Sequence, residues 1–373
     1  KHLIYADNAA TTQMDVDVFE AMKPYLLHEY GNASQPYSFA RQPKKAIQEA
    51  RETIASCIGA LPEEIYFTSG GTESDNWAIK GIAFRNYDHR ATITTAFEHH
   101  AVLHACEAIE RLGCPVAYML PDKRGFVSPD SLERYITDET FLVSVMYANN
   151  ELGSIQPIKE LCKVAHDHGA LFHTDAVQAV GHVAINVNDL GVDMLSASAH
   201  KFNGAKGVGF LYIRTGTTLP PYADGGAQEH GLRAGTENVA GIVSMAVALK
   251  KNVNDLDKNQ RHILKLEGLL LQALNKSGIP YVRNGGDHTL PGVISLSFDG
   301  KDGEAILHRM DLMGVCISTG SACDSKNTEI SHVLQAIRMP ESLAKGTIRI
   351  SLGKNNTADD IDTIVTALRK ILL

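Results

Sequence analysis

Positive charge is scarce in this sequence. Its 35 lysines and arginines face 43 aspartates and glutamates, which gives a formal net charge of −8. Non-specific nucleic-acid binding depends on an excess of basic side chains, so direct contact with nucleic acid is not predicted. The sequence also lacks an apolar run near the roughly 18 to 20 residues of a membrane helix, and its N-terminus lacks the pattern of a signal peptide. We therefore predict a cytoplasmic protein without membrane contact.

Cysteines are few, and no two of them form a CxxC pair. They are Cys57, Cys106, Cys114, Cys162, Cys316 and Cys323. This spacing argues against a zinc ribbon or a disulfide framework, and no metal site is predicted. Most of these thiols are expected to be small buried hydrophobes. Cys323 differs because the surrounding segment 317–334 is rich in Ser, Gly and Asn, which predicts an exposed, reactive thiol.

Short apolar runs alternate with helical stretches through the first two thirds of the 373 residues. The strand-like runs are 64–70, 91–99, 140–150, 171–178 and 208–214. The helical stretches between and before them include 36–58, 73–84, 101–112 and 158–167. This alternation predicts an α/β fold in which helices cover a mainly parallel sheet. After a helical stretch at 239–274, shorter strands and helices predict a small α+β lobe.

Two polar motifs follow predicted strands, where α/β sheets collect their ligands. The motif SGGTES (69–74) precedes a helix, so its backbone amides could receive a phosphate, although such a glycine turn is often only structural. The motif HTDAVQ (173–178) places Asp175 and Gln178 near the same crevice. Asp175 is equally consistent with a helix N-cap.

A third motif, SASAHKFNGAKG (196–207), places Lys201 at a strand exit before a Gly-rich turn. Most lysines are solvated surface charges. Here Ser198 and His200 put hydroxyl and imidazole donors beside the amine, which is the setting that a Schiff base and a neighbouring phosphate require.

Together these motifs resemble one family along nearly the whole chain. The similar segments, in family order, are YADNAATT (5–12), FTSGGTESDNWAIKG (67–81), FEHHAVL (97–103), ANNELGSIQPI (148–158), FHTDAVQAVG (172–181), SAHKFNGAKGVGFLY (198–212), RAGTEN (233–238), STGSAC (318–323) and TIRISLG (347–353). They resemble the NifS/IscS cysteine desulfurases of group I, within the class V, fold-type I enzymes that use pyridoxal 5′-phosphate (PLP). The resemblance implies a large domain, 15–257, with a mainly parallel seven-stranded sheet, and a small α+β domain formed by 1–14 and 258–373.

The resemblance also implies a role for each matching residue around PLP. Lys201 would form the Schiff base, Asp175 would pair with the pyridine nitrogen, and Gln178 would contact the phenolic oxygen of the ring. His99 would stack on the ring and take part in catalysis. The phosphate would be held by Gly71, Thr72, Ser198 and His200, together with Thr236 of the partner subunit in a homodimer.

The implied reaction converts L-cysteine to L-alanine and leaves the sulfur on Cys323 as a persulfide. Asn150, which also lies at the cofactor, and Arg349 would hold the substrate carboxylate, since the planar guanidinium can bind both oxygens. A protein acceptor, either an iron–sulfur scaffold or a tRNA or cofactor thiolation enzyme, would then collect the sulfur. Another class V enzyme, such as a selenocysteine lyase or an aminotransferase, and a catalytically silent sulfur-relay partner remain alternatives.

Overall fold

The computed structural model describes residues 2–85, 90–319 and 330–373 of the chain. The strands are β1 Ile4–Tyr5, β2 Ile65–Thr68, β3 Ala91–Thr95, β4 Val116–Met119, β5 Thr140–Ser144, β6 Leu171–Asp175, β7 Met194–Ser198, β8 Gly209–Ile213, β9 Val282–Asn284, β10 Val293–Ser297, β11 Val315–Cys316 and β12 Thr347–Ser351. The helices are α1 Val16–Met22, α2 Pro24–Leu27, α3 Arg41–Ile58, α4 Gly71–Arg85, α5 His100–Arg111, α6 Pro129–Tyr135, α7 Ile158–Asp167, α8 Val187–Leu190, α9 Val239–Asn254, α10 Leu256–Ser277, α11 Gly303–Leu312, α12 His332–Ala336, α13 Glu341–Ala344 and α14 Ala358–Leu372.

Seven strands form the large sheet, in the order β2-β8-β7-β6-β5-β3-β4. All neighbouring pairs are parallel except those of β8, which is antiparallel to both β2 and β7. The predicted α/β fold with a mainly parallel seven-stranded sheet is therefore confirmed. The strand-like runs did not include β4, whose VAYM segment lies at the sheet edge and is only half-buried along most of its length.

Side chains of the central strands alternate between two hydrophobic cores on opposite faces of this sheet. Leu142 and Met194 pack into one core with helices α4 and α5, whereas their neighbours Val143 and Leu195 pack into the other core with α3, α7 and α9. Successive side chains of a strand point to opposite faces, so a sheet covered on both sides needs apolar residues at consecutive positions. This explains the unbroken apolar runs of the sequence.

A separate hydrophobic core lies between α10, α11, α14 and the antiparallel sheet β12-β10-β9. Ile4 and Ala6 pack into it, and β1 pairs in parallel with β11. These contacts support the proposed small domain of 1–14 and 258–373, whose boundaries remain a prediction. Helices α12 and α13 of this range pack instead on the core of the large sheet.

The helical stretch predicted at 239–274 is two helices. Asp255 interrupts it with φ −96° and ψ 11°, so α9 ends at Asn254 and α10 begins at Leu256. Among the described helices, none combines the length and the apolar character that crossing a membrane would demand.

Candidate active site

The site predicted from the sequence is a cleft of about 370 Å³. It lies where β6 and β7 end and α4 begins, and β12 closes it from the side of the small sheet. Ten of the predicted residues line it: Gly71, Thr72, His99, Asn150, Asp175, Gln178, Ser198, His200, Lys201 and Arg349. Parallel strands place their carboxyl ends at one sheet edge, which is why motifs far apart in the sequence meet here.

Lys201 lies on a single 3-10 turn, Ala199–Phe202, that directly follows β7. The turn ends at Asn203, which adopts a left-handed conformation with φ 71°. The Nζ atom of Lys201 donates hydrogen bonds to the carbonyl oxygens of Ala9 at 2.6 Å and Ala10 at 2.9 Å. The amine is thereby held in the cleft by the N-terminal segment. Sequence reasoning missed these acceptors because backbone carbonyls carry no side-chain signal.

Asp175 is the last residue of β6 and is buried. Its Oδ1 accepts a hydrogen bond from the backbone N–H of Val177 at 3.0 Å. Gln178 lies one turn further along and donates from Nε2 to the carbonyl oxygen of Ala9 at 3.0 Å. Gln178 and Lys201 therefore bind the same carbonyl oxygen of Ala9, in the cleft that Asp175 also lines.

His99 and His200 enter the cleft as neutral imidazoles. Burial lowers the pKa of His99, partly offset by the Asp175 charge. The Nδ1 of His99 caps α5 by accepting from the N–H of Ala101 at 3.0 Å, so its proton resides on Nε2. Burial and the charge of Lys201 lower the pKa of His200 to about 4. At neutral pH both rings can donate one hydrogen bond without adding a charge.

Gly71 forms the floor of the cleft at the first turn of α4. A Cβ atom at this position would come within 2.6 Å of Val177 Cγ2, so any larger residue would have to displace the Val177 side chain. The first N–H groups of a helix have no intrahelical acceptor and carry partial positive charge. With Thr72 and Ser198 beside them, these groups form a cradle suited to a phosphate.

Arg349 is a buried cation on β12. Its Nη2 donates to Asp7 Oδ1 at 2.8 Å, and its Nη1 donates to the carbonyl oxygen of Asn150 at 2.7 Å. Its Nε is buried without a hydrogen-bond partner among the described residues. A buried donor of this kind is costly unless a ligand satisfies it. Asp7, which the sequence reasoning did not assign, thus fixes the guanidinium while Nε remains for a ligand.

Two predicted residues are not in this group. Thr236 is exposed and does not line the cleft. Cys323 lies outside the described residues. Before Cys323 in the sequence, Ser318 and Arg349 exchange two backbone hydrogen bonds of 3.0 and 2.6 Å. After it, Ser331 Oγ donates to Glu151 Oε2 at 2.5 Å.

Glu98 is a buried acid directly behind the cleft that sequence reasoning missed. Its Oε2 accepts from the hydroxyl of Thr95 at 2.5 Å and from the N–H of Met146 at 3.2 Å, whereas its Oε1 has no hydrogen-bond partner among the described residues. Burial raises the pKa of Glu98 to about 8. A glutamate before a helix usually lies at the surface, so only its place beside His99 could have drawn attention to it.

We expect Glu98 to make the folded chain less stable as pH rises. Its pKa in the folded chain, about 8, exceeds its ordinary value of 4.5. Its contribution to the free energy of unfolding is therefore fully present below pH 4.5 and is lost as the pH rises through 8. The loss amounts to at most about 4 to 5 kcal/mol. Glu98→Gln should therefore flatten the dependence of the thermal midpoint on pH, measured by circular dichroism. Exposed Glu107→Gln is the control, and parallel curves for Glu98→Gln and the wild type would contradict this assignment.

Comparison with known proteins extends these observations to the whole chain. The family model of the class-V aminotransferases matches residues 4–364. The cysteine desulfurase IscS of Dictyoglomus turgidum is 48% identical over 374 residues, an alignment that covers 100% of this chain and 95% of that protein. A solved NifS-like protein superposes with a TM-score of 0.94 at 37% identity, covering 100% and 99% of the two chains. SspA, solved in complex with cysteine, superposes with a TM-score of 0.85 at 37% identity, covering 95% and 100%.

Proposed function

This chain belongs to the class-V aminotransferase family, and from that membership we propose that it is a cysteine desulfurase that converts L-cysteine to L-alanine and transfers the sulfur to Cys323. The observation that carries the proposal is the single cleft in which ten residues from distant motifs meet. Its relatives named cysteine desulfurase are similar over the full length of the chain, and SspA, which is similar in structure, was solved with cysteine.

The residues of the cleft fit PLP. A lysine amine, a buried carboxyl group and the first N–H groups of α4 meet in one space, and the buried Nε of Arg349 has no hydrogen-bond partner among the described residues. Lys201 would attach the cofactor covalently, Asp175 would pair with the pyridine nitrogen, and Gln178 would contact the phenolic oxygen. His99 would stack on the ring. The phosphate would be held by Gly71, Thr72, Ser198 and His200.

When bound, PLP would supply a covalent attachment for the substrate amine and a sink for the electrons released at its Cα. The chain itself supplies the groups that orient the substrate and move its proton. Arg349 and Asn150 orient the substrate by its carboxylate. The Lys201 amine, which already lies among carbonyl acceptors, is the base placed to take the Cα proton. Because His99 is neutral, its Nε2–H can donate a hydrogen bond to the substrate without repelling the lysine.

The atoms and electrons of the sulfur transfer balance with two reactants, the substrate and one thiol. The Cys323 thiolate forms a bond to the substrate sulfur while the Cβ–S bond breaks, and the electron pair stays on the carbon fragment, which becomes alanine after protonation. The products are alanine and a Cys323 persulfide, so no external oxidant is needed. Cys323 follows Thr319 by four positions, which allows a reach of at most about 14 Å, and the chain up to Ser318 is bonded to Arg349.

The position of Thr236 is the reason for including a homodimer in the proposed function. It is exposed in this chain and outside the cleft, so we propose that the partner subunit's Thr236 completes the phosphate site. The persulfide would then pass to a protein acceptor, an iron–sulfur scaffold or a thiolation enzyme. The cytoplasmic location also stays a prediction.

The proposal is tested by supplying the purified chain with PLP and L-cysteine. Equal amounts of alanine and transferable sulfur are expected, and neither product should form without PLP.

Arg349→Lys keeps the charge but loses the planar fork, so the KM for cysteine should rise by about 10- to 100-fold with a smaller change in kcat. The exposed Arg111→Lys is the matched control. An unchanged KM in Arg349→Lys would refute carboxylate binding by this residue, and absence of alanine would refute the function.

A further inference from the structure

Asp75 is a buried acid of α4 that the proposed reaction leaves without a role. Only 1% of its surface is exposed, and it lines the cleft together with Asp175. Besides burial, the Asp175 carboxyl raises the pKa of Asp75 through charge and hydrogen bonding, whereas the Ser196 hydroxyl lowers it. The Oδ1 of Asp75 accepts no hydrogen bond from the described residues. Two carboxyl groups can share a hydrogen bond only when one of them carries a proton.

The imidazole beside Asp75 does not supply a compensating positive charge. His173 is the nearest imidazole, with Nε2 at 3.6 Å from Asp75 Oδ1. Burial lowers the pKa of His173 to about 4, so that ring is neutral at physiological pH. Glu98 and Asp175 both act on Asp75 as acids, and burial together with Asp175 raises its pKa well above the ordinary value. The surroundings therefore favour an uncharged Asp75.

Two hydrogen bonds behind Asp75 join Ser144, His173 and Ser196. Ser144 Oγ lies 2.7 Å from His173 Nδ1, and His173 Nε2 lies 2.8 Å from Ser196 Oγ. If Ser144 donates to Nδ1, the other ring nitrogen donates to Ser196, which leaves the proton of the Ser196 hydroxyl for an acceptor such as Asp75. The proton of Asp75 is left to donate to Asp175. Hydrogen bonds aligned in one direction strengthen one another.

We propose that Asp75 is a positioning residue that stays protonated and donates a hydrogen bond to Asp175, so that Asp175 alone carries the negative charge facing the pyridine nitrogen. This inference rests on the proposed function, because it assumes that PLP occupies the cleft. One pyridinium charge is then met by one carboxylate. A second ionised carboxylate would have been buried without a counter-charge, which is expensive in a protein interior.

Two substitutions separate this role from a merely structural one. Asp75→Asn keeps the shape and a neutral donor toward Asp175, and it should bind PLP with the visible absorption and affinity of the wild type. Asp75→Ala removes the donor, so the dissociation constant of PLP should rise about tenfold or more, and nuclear magnetic resonance of PLP with a labelled pyridine nitrogen should report a less protonated nitrogen. If Asp75→Asn instead loses pyridine-nitrogen protonation as Asp75→Ala does, the inference is overturned.

Infrared spectroscopy of the folded holoenzyme tests the protonation directly and does not depend on whether Asp75→Ala folds. The wild type should show absorption of a protonated carboxylic acid that is lost in Asp75→Asn. Glu98→Gln identifies any contribution of Glu98 to the same region. An unchanged spectrum in Asp75→Asn would overturn the inference even if PLP binding and cysteine turnover are normal. A wild type that neither binds PLP nor forms alanine would overturn the proposed function itself.

Discussion

Replacing Lys201 by alanine is expected to abolish the visible absorption of bound PLP and to lower cysteine turnover by about a thousandfold or more. The substitution removes the amine that attaches the cofactor and, in the proposed reaction, the base for the Cα proton. It also removes the hydrogen bonds to the carbonyls of Ala9 and Ala10. Absorbance spectra after gel filtration and the release of alanine measure the two effects.

Lys201→Arg distinguishes chemistry from structure at this position. Arginine keeps a cation that can donate to the same carbonyls, but it cannot form the Schiff base, so it should preserve folding and still lose activity. The exposed Lys206, on the same Gly-rich turn, offers Lys206→Ala as the matched control with normal activity. Visible absorption and turnover retained in both Lys201 variants would exclude Lys201 as the attachment point.

Cys323→Ala is expected to keep the visible absorption of bound PLP and to lose sulfur transfer from cysteine by on the order of a hundredfold or more. The thiol that accepts the sulfur is absent in this variant, whereas the residues that line the cleft are unchanged. Labelled cysteine followed by separation of the protein from free sulfur measures the persulfide. Full turnover in Cys323→Ala would refute the persulfide step.

Cys57→Ala is the control for loss of a thiol. Burial raises the pKa of Cys57 to about 11, so its thiol remains protonated and unreactive, and its removal should leave sulfur transfer intact. Selenocysteine should be assayed beside cysteine in the same variants. Turnover of selenocysteine alone by the wild type would favour a lyase over a desulfurase.

The central part of the site was predictable because its signals are local. Asp175 ends strand β6 and Lys201 lies on the turn that follows β7, and the alternation of strands and helices already places strand ends at one edge of the sheet. The sequence run containing β7 includes Ser198 and His200 within three positions of Lys201. No long-range information is needed to group these side chains.

The remainder of the site depends on contacts that no local pattern records. Asp7 and Arg349 are 342 positions apart. Asp75 has the sequence surroundings of a solvated helix charge and Glu98 those of a polar residue before a helix, yet the fold buries both. Their burial raises their pKa values. Tertiary structure, rather than sequence pattern, thus determines their chemistry.

The hydrogen bonds between Lys201 and the N-terminal segment join parts of the chain that are synthesised at very different times. Ala9 and Ala10 emerge 192 and 191 residues before Lys201, yet the segment before them is held by residues made much later: the N–H of Ala6 donates to the carbonyl of Cys316, and that of Asn8 to the carbonyl of Ser351. Contacts between such distant positions form late in folding. Lys201 is therefore synthesised well before Cys316 and Ser351, the residues that hold its carbonyl acceptors in place, and its hydrogen bonds to Ala9 and Ala10 belong to the last stage of folding.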